Sequence, residues 1–343
     1  MKKKIKNNID LINIAFMILS LIVAIFIPFK LFLFSYAVLG PLHYLTEINW
    51  LREKKYFMLA DRKHTIIFIV IAILVSISPS IRYLDLQLAP SIQSILVIIS
   101  RYNSAFLISS FLFAIGLLFY KKTRTLLILL VVVSLISFIS TNYLHSTFIY
   151  VSIFLPTLIH VYLFTLMFVL FGSIKSKSKI GISSVIVLAI IPFVIWYLPI
   201  EIVQIAKPSS ELLNIFVNSS FVNLNIMLAK VFKGLENGRF VLLSEIGLRI
   251  QIFIAFAYTY HYLNWLSKTS VIGWGKTLSK QKVIWMLVIY AFSLGLYFYD
   301  YKTGLTGLFF LSYLHVLLEF PLNAFTVKGL ISEVIGNFKK NSF

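Results

Sequence analysis

The chain consists of long apolar stretches separated by short polar segments. An α-helix needs about 20 apolar residues to cross a bilayer, whereas a transmembrane strand would alternate polar and apolar positions over about ten residues. The stretches here are continuous. The predicted spans are 11–28, 31–51, 66–81, 98–120, 125–141, 148–172, 180–199, 246–266, 283–300 and 305–325. The pattern predicts an all-α, polytopic integral membrane bundle of about ten transmembrane helices, with residues 1–343 forming a single transmembrane domain.

Residues 200–245 interrupt this pattern. They are rich in Leu, Ile, Phe and Val but interleave them with Asn and Ser, which is typical of helices lying in a membrane interface. We expect one or two amphipathic helices at the outer face. Both a lid over a cavity and simple interfacial packing fit this segment.

Lysine and arginine are concentrated in alternate segments between the spans. If the N-terminus is inside, the inner segments hold 22 of the 31 basic residues. Because positive residues favour the cytoplasmic side, the chain is predicted to lie in the inner (plasma) membrane with both termini cytoplasmic. Its net charge of +19 then reflects topology. The lipid bilayer is the expected environment, and no nucleic-acid partner is expected.

Four of the six histidines fall within predicted spans, where ionisable groups are costly and usually mark function. They are His43, His160, His261 and His315. All four lie on helices predicted to run from outside to inside, in the cytoplasmic half. Four converging imidazoles would make a metal site suited to iron, zinc or copper, although a single buried histidine is often only a packing residue. The other two, His64 and His145, are expected to be solvated and interfacial, respectively.

Two of these histidines are followed by a glutamate four residues later, as His43–Glu47 and His315–Glu319. Residues i and i+4 share one helix face. Metal-bound histidines usually donate their other N–H to a carboxylate or carbonyl, so Glu47 and Glu319 are candidates to orient ligands from neighbouring helices. Asn264 is a weaker candidate for the same role.

The glutamates have an alternative role, and two prolines affect the helices that carry the histidines. The glutamates would instead form buried ion pairs if they met Arg101 or Arg249. Pro41 and Pro156 precede His43 and His160 and each removes a helical hydrogen bond, so both helices are predicted to kink near a histidine.

The stretch LGPLHYLTEINW resembles the first histidine motif of the Brp/Blh family, approximately G-x-P-H-G-A-x-D. Gly40, Pro41, His43 and Glu47 match its glycine, proline, histidine and acidic residue, with the order around proline shifted by one. The resemblance covers this motif only, and Tyr-Leu replaces the small Gly-Ala after the histidine. It implies a membrane β-carotene 15,15'-dioxygenase, with Fe(II) held by membrane histidines, that uses dioxygen to convert a carotenoid to retinal. The other three histidines are assigned from topology.

The sequence therefore favours a membrane iron-dependent oxygenase-like protein acting on a carotenoid or related long apolar isoprenoid. Aromatic residues make up 16% of the chain, and flat aromatic walls suit such a ligand. Two alternatives remain: a transporter or proton-conducting protein that uses the intramembrane His and Glu groups, and a bis-histidine haem protein.

Overall fold

The computed structural model describes residues 2–54, 63–83, 87–268, 273 and 278–341. These residues are almost entirely helical and include no β-strand, and one isolated bridge pairs Glu236 with Arg239. The α-helices are α1 (Lys2–Phe26), α2 (Pro28–Phe34), α3 (Gly40–Lys54), α4 (Lys63–Tyr83), α5 (Pro90–Arg101), α6 (Asn103–Gly116), α7 (Thr123–Tyr143), α8 (His145–Phe154), α9 (Thr165–Ser176), α10 (Lys179–Trp196), α11 (Ile200–Ile205), α12 (Ser210–Asn218), α13 (Val222–Val231), α14 (Glu245–Ser267), α15 (Lys280–Tyr299) and α16 (Tyr301–Asn341). The all-α prediction is confirmed.

Within this described part of the chain, eight helices are long and apolar enough to cross a membrane. They are Asn8–Phe26, Pro28–Arg52, His64–Arg82, Thr123–Tyr143, Thr147–Ser176, Lys179–Trp196, Lys280–Tyr299 and Tyr301–Glu333. The number rises to ten if two bent pairs, α5 with α6 and α12 with α13, each form one span. The chain is therefore a polytopic helical membrane protein. The assignment to the inner (plasma) membrane and the cytoplasmic location of both termini stay predictions.

Residue contacts divide the chain into two compact units. Unit 1 comprises Met1–His43 and Thr157–Leu305, and unit 2 comprises Tyr44–Pro156 and Thr306–Phe343. The unit boundaries fall inside helices, so each unit is assembled from segments that are distant in sequence. The single domain predicted for residues 1–343 stays a prediction.

Helix α14 is the centre of unit 1. It packs against α1, α2, α10, α11 and α13, and most of its side chains are buried. The sequence predicted a span at 246–266, and the helix is there. It is not among the eight apolar spans, because it carries polar residues such as Gln251, Thr259 and Asn264. A helix surrounded by protein can carry polar side chains that a lipid-facing helix cannot.

Arg249 of α14 closes the end of a neighbouring helix. Its guanidinium donates to the backbone carbonyls of Ile195, Trp196 and Leu198 at 2.7–2.9 Å and also binds Glu245. The last carbonyls of a helix have no intrahelical partner, so the arginine supplies the missing donors for α10. The suggested ion pair of Arg249 with Glu47 or Glu319 stays a prediction.

Residues 200–245 contain three short helices, α11 to α13, where one or two were predicted. Helices α12 and α13 meet at 83°, where Ser220 adopts a left-handed backbone conformation (φ 59°). The segment packs on α1, α2 and α14, and Phe216 and Asn225 are fully buried. Part of it therefore belongs to the core of unit 1. Its location at the outer face stays a prediction.

The two predicted kinks take the form of π-helical segments, π1 (Ser35–Leu39) and π2 (Leu155–Phe164). In π1 the N–H of Gly40 donates to the carbonyl of Ser35, five residues earlier, which is the π pattern. Each segment adjoins or contains a proline, Pro41 or Pro156. A proline has no N–H to donate, so the helix widens there by one residue per turn.

In unit 2, α6 packs against α4, α7 and α8. His64, predicted to be solvated, is buried, with 2% of its surface exposed. That prediction was wrong because α4 begins at Lys63, so His64 lies in the first turn, with its ring 6.2 Å from that of Phe113. The side chain of His145 lies outside the part of the structure that is described.

Candidate metal centre

Three of the predicted histidines come together inside unit 1. His43 follows π1 in α3, His160 lies within π2, and His261 lies near the end of α14. Their exposed fractions are 1%, 1% and 6%. One ring nitrogen of each lies within 4.8 Å of the others. Three segments far apart in sequence thus present three imidazoles to one buried point.

The distances between the rings fit metal ligation. Nε2 of His261 lies 3.1 Å from Nε2 of His43, and the His261 ring centroid lies 4.7 Å from that of His43 and 5.0 Å from that of His160. Two nitrogens bound to one ion at about 2.1 Å, in tetrahedral or octahedral geometry, are roughly 3.0–3.4 Å apart. The same 3.1 Å also suits an N–H···N bond between neutral imidazoles, so metal analysis has to distinguish the two.

Thr165 fixes the orientation of His261. Its Oγ1 lies 2.8 Å from Nδ1 of His261, and Thr165 is 2% exposed. If Nε2 of His261 binds a metal, Nδ1 carries the proton and donates it to the threonine hydroxyl. The sequence pattern did not mark this residue, because a threonine in an apolar span carries no signal of the histidine that it contacts on another helix.

Asn264, the weaker candidate for orienting a ligand, accepts a 3.4 Å hydrogen bond from the hydroxyl of Tyr260 on the same helix. The role predicted for Asn264 in orienting a ligand stays a prediction.

Aromatic rings surround the histidines. The ring centroid of His43 lies 5.2 Å from that of Tyr262 and 5.7 Å from that of Trp265. One turn earlier in α14, the ring centroid of Tyr258 lies 5.1 Å from that of Phe32. These surroundings exclude bulk water, which strengthens electrostatic interactions within the cluster.

His315 lies in unit 2, on α16, with 3% of its surface exposed. Its ring stacks on Tyr44, with centroids 4.1 Å apart and planes at 23°. Tyr44, the residue that follows His43, therefore packs directly on this histidine. The assignment of His315 as a metal ligand stays a prediction.

Glu47 and Glu319 also lie in unit 2 and are 2% and 3% exposed. Their carboxyl groups are close enough to interact with each other. The role predicted for them in orienting ligands stays a prediction. Arg101, their other suggested partner, is exposed and lies over the ring of Tyr102 at 5.8 Å.

Comparison with family models, with curated proteins and with solved structures finds no match. The histidine cluster and its surroundings are therefore the features that indicate function.

Proposed function

We propose that the protein is a membrane metalloprotein in which His43, His160 and His261 bind one metal ion. The observation that carries this proposal is that three buried imidazoles from separate segments lie within 4.8 Å of one another. Burying three polar rings at one point is costly unless their nitrogens are bonded. A shared metal ion would use one nitrogen from each ring. Neutral imidazole suits iron, zinc and copper.

We further propose that the metal is Fe(II) and that the protein is an oxygenase acting on a carotenoid or a similar long isoprenoid. Ferrous iron bound by histidines would supply the site at which dioxygen reacts. The histidines would leave coordination positions open, and Thr165 would hold His261 in the tautomer that binds through Nε2. Tyr262 and Trp265 would provide flat apolar surfaces for a conjugated chain.

Two observations support this assignment. One is the match of Gly40, Pro41, His43 and Glu47 to the Brp/Blh motif, and the other is the aromatic surroundings of His43. Cleavage of a double bond by dioxygen needs no protein acid or base. The apolar surroundings of the cluster are therefore compatible with that chemistry.

Metal analysis of the purified protein tests the first part of the proposal. We expect about one iron per chain, with zinc as a substitute acquired during purification. Changing His43, His160 or His261 to Ala should remove most of the metal. His64→Ala is the matched control, because His64 is equally buried but lies outside the cluster. Full metal content in two of the three cluster variants would refute the centre.

His315→Ala determines whether the centre has three or four histidines. Loss of metal in this variant, with folding unchanged, would support the four-histidine centre predicted from the sequence. Unchanged metal content and affinity would limit the centre to the three histidines of unit 1.

Expression in a carotenoid-producing host tests the chemistry. Cleavage shortens the conjugated system, so we expect loss of pigment and accumulation of apocarotenals, detected by chromatography. The His261→Ala variant should leave the pigment intact. If the wild-type protein is folded and loaded with iron but carotenoids are unchanged, carotenoid cleavage is excluded. Only the proposal of a metal-binding site then remains.

The geometry does not favour His43 and His261 as the two axial ligands of one haem. Axial ligands on opposite sides of a haem iron are separated by about 4 Å, twice a metal–nitrogen bond length, with the porphyrin plane between them. His43 and His261 are 3.1 Å apart with rings at 73°. No porphyrin fits between these two rings.

Proton conduction is a second candidate function, favoured by the buried, interacting carboxyl groups of Glu47 and Glu319. Buried carboxyl groups of this kind carry protons through membrane proteins. Proton flux into liposomes containing the purified protein, measured with a pH-sensitive dye, tests it. Conduction predicts that Glu47→Gln and Glu319→Gln abolish flux, whereas the control Glu211→Gln, at an exposed residue, does not. No flux above that of empty liposomes removes this candidate.

A further inference from the structure

A buried amide pair lies in unit 1, away from the histidines. Asn225 of α13 and Gln251 of α14 both have 0% of their surface exposed. Nδ2 of Asn225 donates to Oε1 of Gln251 at 3.0 Å. The outer ends of the pair, Oδ1 of Asn225 and Nε2 of Gln251, are buried and have no hydrogen-bond partner among the described residues. Buried polar atoms in proteins nearly always have one, so this site needs an explanation.

The pair leaves the same unpaired groups for either orientation of the two amides. Oxygen and nitrogen of a side-chain amide are assigned from the hydrogen-bond network. If both amides are turned over, the hydrogen bond between them is kept with its direction reversed. Turning over only one would place oxygen against oxygen or nitrogen against nitrogen. In either permitted arrangement, the pair leaves one N–H donor and one oxygen acceptor without a partner.

The two unpaired groups select the chemistry of a ligand. A hydroxyl group both accepts from an N–H and donates to an oxygen, so it can bond to either end of the pair. A ketone or ester carbonyl would satisfy only the donor, and a hydrocarbon would satisfy neither. A site that offers hydrogen bonds rejects a ligand lacking the polar group, because its own buried atoms are then left unpaired.

The pair and the histidine cluster lie on one helix. Gln251 and His261 are ten residues apart in α14, which corresponds to about 15 Å along the helix axis. Tyr258 and Tyr262 lie at i+7 and i+11 from Gln251, on the same helix face. Their rings contact each other at 6.2 Å, and Tyr262 contacts His43. An aromatic strip therefore leads from the amide pair to the cluster.

We propose that Asn225 and Gln251 bind the terminal hydroxyl group of a long apolar ligand whose body extends along α14 towards the histidines. Two sources carry this chemistry: a hydroxylated isoprenoid and a hydroxyl-bearing membrane lipid. The identification of this ligand as the substrate rests on the proposed function. The binding site itself rests on the amide pair and can be tested on protein that is catalytically inactive.

Binding to metal-free protein in detergent tests the inference. The probes are β-carotene and zeaxanthin, which share one carbon skeleton and differ in terminal hydroxyl groups. Tryptophan quenching should show zeaxanthin binding about tenfold more tightly, as expected for one or two net hydrogen bonds. The double variant Asn225→Leu/Gln251→Met should bind the two carotenoids equally. Because no metal is present, failure of the oxygenase proposal does not affect this measurement.

Ser20→Ala is the matched control, since Ser20 is also buried in unit 1 with no hydrogen-bond partner for its hydroxyl among the described residues. It should leave the preference unchanged. Mass spectrometry of co-purified lipids covers the second source: a hydroxyl-bearing lipid present with wild-type protein and lost from the double variant supports the site with lipid as its ligand. If the wild-type protein shows no preference for zeaxanthin and no such lipid, the pair binds water only and the proposal is overturned. A folded double variant that keeps the wild-type preference for zeaxanthin overturns it as well.

Discussion

At the scale of single residues, the hydroxyl group of Thr165 decides which nitrogen of His261 faces the cluster. An imidazole has two nitrogens, and the hydrogen bond made by one fixes the role of the other. Thr165 occupies Nδ1 at 2.8 Å, so Nε2 points towards His43. A cluster of three histidines binds a metal only if each presents an unprotonated nitrogen. The threonine is therefore a positioning residue rather than a ligand.

Thr165→Val keeps the shape of the side chain and removes the hydroxyl. We expect metal affinity to fall by about 10–100-fold, the usual effect of losing a hydrogen bond to a ligand histidine, with helical content unchanged. Competition with a chelator of known affinity measures the change. Thr165→Ser should retain near wild-type affinity because it keeps the oxygen. An unchanged affinity in the valine variant would show that the hydroxyl does not position His261.

At the scale of helices, π-helical turns accompany two of the three clustered histidines. π1 ends just before the helix that carries His43, and π2 contains His160. One additional residue in a helix rotates everything beyond it by about 100°. Such widened turns are frequent at functional sites. In this protein the π-helical turns direct the side chains of His43 and His160 inward, whereas a regular α-helix would direct them elsewhere. The positions of the prolines and of the two histidines are therefore linked.

Pro156→Ala restores a backbone N–H at the start of π2. If the proline maintains the π register, the segment should relax towards an α-helix and rotate His160 away from the cluster. We expect metal affinity to fall at least about tenfold, while circular dichroism shows unchanged helicity. Pro192→Ala is the control, because Pro192 lies inside α10 in a regular α-helix. Equal metal affinities in the two variants would show that Pro156 does not determine the position of His160.

At the scale of the whole molecule, the alternation of basic and apolar segments predicts how the chain is threaded through the membrane. Helix α10 separates two lysine-bearing turns, at Lys177 and Lys207, and its 18 residues have a mean hydropathy of 2.2. A helix of that length and composition crosses a bilayer. The sides on which the turns lie follow from the positive-inside rule.

Reporter fusions after Lys177 and Lys207 should therefore report opposite sides of the membrane. A third fusion, after Lys121, should report the same side as Lys177, because two spans, Thr147–Ser176 and Thr123–Tyr143, lie between them. Phosphatase and fluorescent reporters give complementary readings. If the fusions after Lys177 and Lys207 report the same side, α10 does not cross the membrane and the predicted topology is wrong.

The sequence by itself determined the class of the protein and most of its helices. Long apolar runs can satisfy their backbone in lipid only as helices, so the all-α prediction followed from hydropathy alone. The same reasoning found α14 as a helix, and residue type marked buried histidines as candidates. These properties depend on local composition and periodicity, which can be seen without knowing which helices are neighbours.

Only the tertiary structure decided which of these residues meet. His43, His160 and His261 are separated by more than a hundred residues, and their approach depends on helix packing and on the register added by π1 and π2. Thr165 is significant only because α9 brings it to His261, and His64 is buried only because α6 covers it. Pairing across helices is a long-range property. Hydropathy shows which side chains are buried, but it does not show which side chains they contact.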